Sequence, residues 1–135
     1  MLLAIARLCL ILDALIFIMV GSFLLSDPTS LEYFNIDSAA GTTAIRTWGG
    51  MFIGVGTVGL LAALNRKWIT QGLFIMLIIG GMIALTRLYG IAVDGLEPRQ
   101  ATELRDESLG PFLAIVGLAC FWLHQRRINK LINQA

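Results

Sequence analysis

IIGGMIALTRLYGIAVDG, residues 78–95, closes an apolar run that begins at Trp68 and holds a single charged residue, Arg87, before Asp94. At about 1.5 Å per residue the run from 68 to 93 exceeds the roughly 30 Å of a bilayer's hydrocarbon core, so it predicts a membrane-spanning helix. An arginine inside such a run is costly without a partner, which makes Arg87 the first place to look for a functional site.

Three further runs repeat the pattern. The first, from about Leu2 to Leu25, is interrupted only by Arg7 and Asp13 and is closed by "SDPTS", whose Pro28 lacks an amide donor. It is longer than the apolar core of a secretory leader and carries a central aspartate, so it predicts a span. The second runs from about Thr43 to Leu64 and ends at "NRKW"; the fourth is uninterrupted only over Leu109–Leu123 and needs to begin near Glu107 to span, with Pro111 in its first turns. Expected helices are therefore 2–25, 43–64, 68–93 and 107–125, in one domain covering residues 1–135.

Composition agrees. Of 135 residues 57% are hydrophobic and 14% charged, with a mean hydropathy of +0.80, far from the balance of a soluble domain. The net charge of +1 and the lack of a long Lys/Arg run give nucleic-acid binding no support. Cys9 and Cys120 lie in apolar runs without CxxC spacing, and read as small buried hydrophobes rather than a disulfide or metal site.

Orientation follows from lysine and arginine in the connections. Residues 26–42 carry none, whereas Arg66 and Lys67 follow the second run and Arg126, Arg127 and Lys130 end the chain. The expected fold is thus all-α, an integral membrane four-helix bundle with both termini cytoplasmic. The third connection, rich in Asp94, Glu97, Glu103, Asp106 and Glu107, falls outside with the first.

Asp94 lies two helical turns after Arg87, on the same face as Gly90, Ala84 and Gly80. Arg46 similarly shares a face with Gly50, Gly54 and Thr57. Small residues admit a neighbouring helix, so the two faces are expected to meet and Gly50, Gly54, Gly80, Ala84 and Gly90 to be packing positions. Asp13, near the middle of the first helix, is too short to reach water and needs to be neutral or paired. The expected site is a polar network of Arg46, Arg87, Asp94 and Glu107, with Asp13 beneath. For Arg46 a simple lift of the side chain to the headgroups stays equally open.

Chemistry finds little purchase. The one histidine, His124, stands beside "QRR" at the cytoplasmic end, so this chain alone assembles no haem pair, di-iron cluster or histidine relay. The serines and threonines have no histidine nearby, and "GGMFIGVG" lies inside a spanning run with no preceding strand. No enzymatic activity, metal or cofactor is expected. Tyr33, Phe34, Trp48, Trp68, Tyr89 and Trp122 read as interfacial belt residues.

At "RTWGGMFIGVG", "TRLYGIAVDGLEP" and "ESLGPF" the chain resembles a family of short bacterial four-span membrane proteins, domain of unknown function 4345, most clearly from Arg46 onward. The resemblance implies the fold and a bacterial inner membrane, and no activity. The favoured function is a non-enzymatic accessory or structural protein, with the lipid bilayer and self-association or a larger membrane complex as its partners. The alternative is a membrane protein binding a small molecule or anionic lipid, with Arg46 and Arg87 as the receptor and Asp94 and Glu107 balancing them when empty.

Overall fold

A computed structural model describes residues 1–28, 38–96 and 98–134. Its elements, in chain order, are α1 (Leu2–Ser26), α2 (Ala39–Leu64), α3 (Ile69–Asp94), α4 (Pro98–Glu107) and α5 (Leu109–Ile132). Four helical stretches are long and apolar enough to cross a membrane, the last of them running from Arg99 to Ile132. The chain is therefore an all-helical four-span bundle of the membrane type.

Local chemistry sets the ends of these helices. Ser38 accepts a hydrogen bond from the Gly41 amide at 3.1 Å and caps α2, which is why the helix starts four residues before the first long apolar stretch. Between α2 and α3, Asn65 Oδ1 accepts from the Lys67 amide, and the chain reverses within a few residues. At the far end of α3, Gly95 adopts φ +99°, a left-handed conformation that glycine takes without strain, and donates to the Ile91 carbonyl.

The segment 98–107, expected to be a loop, is helical. Pro98 occupies the first position, where its missing amide costs nothing, and Ala101, Leu104 and the glutamates are good helix formers. Arg99 and Glu103 add an i,i+4 pair at 3.1 Å. Pro111 cannot donate to the Glu107 carbonyl, and α4 and α5 meet in a break at Ser108 instead of forming one regular rod.

The helices stand in the ring order α1, α2, α3, α5, with α1 and α3 touching across the diagonal and α2 and α5 apart among the described residues. The tightest seam joins α1 to α2. A Cβ on Gly21 would lie 2.5 Å from the Gly49 carbonyl oxygen, one on Gly49 2.7 Å from the Gly21 oxygen, and one on Gly56 2.5 Å from the Ala14 oxygen. Backbone meets backbone there, and only glycine leaves room. The fully packed core, Leu10, Ile69, Leu73 and Met76, fills the half of the bundle nearer the α2–α3 turn. Large apolar side chains such as Leu8, Met51, Ile78 and Ile115 face outward, as lipid-facing positions do.

This packing corrects the expected one. Gly50 and Gly54 are exposed, and a Cβ on either would meet nothing within 4 Å. The inward face of α2 is one step round the helix, through Ile45, Gly49, Gly56, Gly59 and Ala63. The expectation was anchored on an inward Arg46, whereas a guanidinium without a partner is cheapest on the outside. Gly80 is buried, but against Pro111 of α5, not against α2. Ala84 and Gly90 are half-buried, and the one neighbour a Cβ on Gly90 would find is Asp94 Oδ2 of its own helix.

Candidate functional site

Two groups of ionisable residues lie in the half of the bundle away from the α2–α3 turn. The first is a clamp on Arg87. Glu103 and Glu107, four residues apart on α4, turn one face of that helix toward α3 and take the guanidinium between them. Nη1 lies 2.7 Å from Glu103 Oε2, while Nε and Nη2 donate to the two oxygens of Glu107 at 3.1 and 2.5 Å. The Glu107 pair is the bidentate fork that arginine favours with a carboxylate. All three side chains are about three-quarters buried, at 28, 21 and 25% exposure, so solvent screens them only in part.

The second group is Asp13 alone. It is wholly buried on α1, and neither carboxyl oxygen has a hydrogen-bond partner among the described residues. Facing it is Gly110, on which a Cβ would come within 2.8 Å of Oδ1; the glycine makes the space that the carboxyl occupies. Above it opens a pocket of about 610 Å³ whose walls include Phe17, Phe52 and Ile83, with Arg105, Asp106 and Glu107 at the rim. Phe17 and Phe52 meet edge to face, their centroids 5.6 Å apart, and tie α1 to α2 beside it.

The expected site residues are thus distributed over three places. Arg87 and Glu107 come together. Asp13 lies under the same end of α5 but bonds to neither, because the guanidinium is turned toward α4. Arg46 is exposed on the outer face of α2, and Asp94 is exposed at the end of α3; neither joins an ion pair among the described residues. Glu103 was not anticipated. Its signal was the Glu-xxx-Glu spacing at 103 and 107, legible only once the segment is read as helix rather than loop.

Smaller features complete the picture. Arg66 of the α2–α3 turn donates to His124 Nε2 at 3.1 Å, fastening the turn to α5. The Arg126 guanidinium lies 3.5 Å over the Trp122 ring. Trp48, Trp68, Tyr89 and Trp122 are all exposed, whereas Tyr33 and Phe34 lie outside the described residues. Both cysteines are free thiols.

Chemically, the clamp holds α4 against α3 and presents few unspent donors. The Asp13 carboxyl offers two acceptor oxygens, or one donor and one acceptor when protonated, within an otherwise apolar pocket. Among the described residues of the pocket lining there is no serine, threonine, cysteine, lysine or histidine. A family model described as domain of unknown function (DUF4345) matches residues 5–118 of the chain. No curated protein and no solved structure matches it.

Proposed function

The chain belongs to the DUF4345 family, and on that premise we propose that it is a non-enzymatic accessory or structural protein of the bacterial inner membrane, acting by packing against other copies of itself or within a larger membrane complex. The observation that carries this reading is the outward face of α2. Thr43, Thr47, Gly50, Gly54 and Thr57 form one exposed stripe at alternating four- and three-residue steps. Each threonine hydroxyl donates back to a carbonyl of its own helix, that of Ala39, Thr43 or Ile53. The stripe is shallow and its polar groups are spent, which suits close approach by another transmembrane helix. A purely lipid-facing surface would gain nothing from two glycines, each of which costs up to about 1 kcal/mol of helix propensity in water.

In this reading the end that gathers Arg66, Lys67, Arg126, Arg127 and Lys130 faces the cytoplasm, with both termini beside it. The alternative, an anionic lipid headgroup or small anion held by Arg46 and Arg87, has less support. The Arg87 fork faces Glu107 and its remaining nitrogen faces Glu103, while Arg46 lies on another face.

Native mass spectrometry of the protein, extracted gently from its own membrane, tests association. A homo-oligomer or a stable heteromeric complex is expected, and it should dissociate when Gly50→Leu and Gly54→Leu are combined. Since a Cβ at either site would meet nothing within 4 Å in the bundle, the variant monomer should still fold. A wild-type protein that is monomeric and unaccompanied, or a double variant that assembles normally, would refute the reading.

A further inference from the structure

Along α4, the helix packs on α3 and meets α5 at the break, but among the described residues it makes no contact with α1. As α1 continues past Asp13, the two helices enclose a wedge. Its closed end is the point where Asp13 fits into the gap left by Gly110, and its volume of about 610 Å³ falls within the range of small-molecule pockets. One flank opens sideways. Met19, Val20 and Leu109 are 66, 38 and 49% exposed there, and a shallow apolar groove over Leu12, Leu15 and Leu113 continues from Met19 and Leu109 along the lipid-facing surface. An apolar molecule can reach the wedge from within the bilayer.

Charge then selects among such molecules. At the rim Arg105 pairs with Asp106 at 2.9 Å, and Glu107 is held by Arg87. Among the described polar residues that line the wedge, Asp13, wholly buried at the closed end, is the one without a hydrogen-bond partner. Buried polar groups are almost always hydrogen-bonded, and an exception calls for an explanation. An ammonium group supplies three donors and a charge that favours the ionised carboxylate; a hydroxyl supplies one donor and no charge; a carboxylate or phosphate supplies no charge that favours ionisation and repels the ionised form. We infer that the wedge binds a membrane-borne amphiphilic amine, its ammonium on Asp13 and its apolar body between Phe17, Phe52 and Ile83. Entry of the head group requires α1 and α5 to part at Gly110, where no side chain of α5 stands between them. The site is independent of the α2 face, and either can fail without the other.

Equilibrium binding of radiolabelled dodecylamine to the intact chain in phosphatidylcholine nanodiscs tests this. A saturable site is expected, displaced by unlabelled dodecylamine, at least tenfold less well by dodecanol, and not by dodecanoate. Asp13→Asn, nearly the same in shape, should weaken binding at least tenfold. Ile83→Trp, which fills the wedge from α3 without touching the carboxyl, should abolish it. Should Asp13→Asn fail to fold, infrared difference spectra of the wild type still decide. Adding dodecylamine should perturb a carboxyl band, and dodecanoate should leave it unchanged. No saturable site, equal displacement by dodecanoate, or undiminished binding in a folded Asp13→Asn would overturn the inference.

Discussion

Glu107 and Asp13 lie on opposite sides of one pocket, and they have solved the problem of a carboxyl in a membrane protein differently. Glu107 stands on the rim, a quarter exposed, with both oxygens bonded to Arg87. Asp13 stands at the closed end, fully buried, with neither oxygen bonded among the described residues. Depth alone does not separate them; the direction of one arginine does. Arg87 turns to α4, where Glu103 and Glu107 provide two carboxylates four residues apart, and in doing so leaves Asp13 without a cation. The clamp is a device that holds the bundle, whereas the lone aspartate contributes nothing visible to holding it.

That contrast has consequences for stability, to be read by thermal unfolding in a mild detergent. The largest effect is expected from Arg87→Leu, which removes the charged contacts to Glu103 and Glu107 and leaves the two carboxylates facing each other with no cation between them. A loss of about 3 kcal/mol is expected, toward the lower end of what breaking a buried pair costs, because solvent partly reaches the group. Next come the acids themselves. Glu107→Gln should cost about 1–2 kcal/mol and Glu103→Gln about 1 kcal/mol or less, since Glu107 receives two guanidinium bonds from the partly buried Arg87, whereas Glu103 receives one from Arg87 and a weaker one from the exposed Arg99. An equal loss for the two would mean that the fork geometry carries no weight.

Asp13→Leu should move the other way. Replacing an unpartnered buried carboxyl with an apolar group of the same branching should leave stability unchanged or raise it by about 1 kcal/mol, the gain being held down by the greater bulk of leucine against Gly110. A loss as large as that of Arg87→Leu would erase the distinction between the two carboxyls. The smallest effect belongs to Asp94→Asn at the exposed end of α3, whose melting midpoint should match the wild type; a clear drop would return Asp94 to the Arg87 network.

Much of this was legible in the sequence, for identifiable reasons. Four long apolar runs declare spans irrespective of tertiary context, because the bilayer sets their length. Arg87 and Asp13 stood out because charge is rare there. The choice of partners was less legible. Arg87 and Asp94 share a helical face, but the nearer carboxylates come from another helix, and only tertiary packing brings Glu103 and Glu107 to it. Gly49 and Gly50 are adjacent in sequence and about 100° apart on the helix. Choosing between them required knowing whether Arg46 points in or out, and no local rule settles that. The helix over 98–107 was hidden by its charge, since an acidic, proline-led segment between two spans reads as a loop.

A double-mutant cycle on Asp13 and Arg87 probes the division most directly, with unfolding free energies measured for Asp13→Asn, Arg87→Leu and both together. If the two groups belong to separate sites, the effects should add to within about 0.5 kcal/mol. A coupling of 1 kcal/mol or more would show that Arg87 and Asp13 share one network, and that the aspartate has its partner within the chain after all.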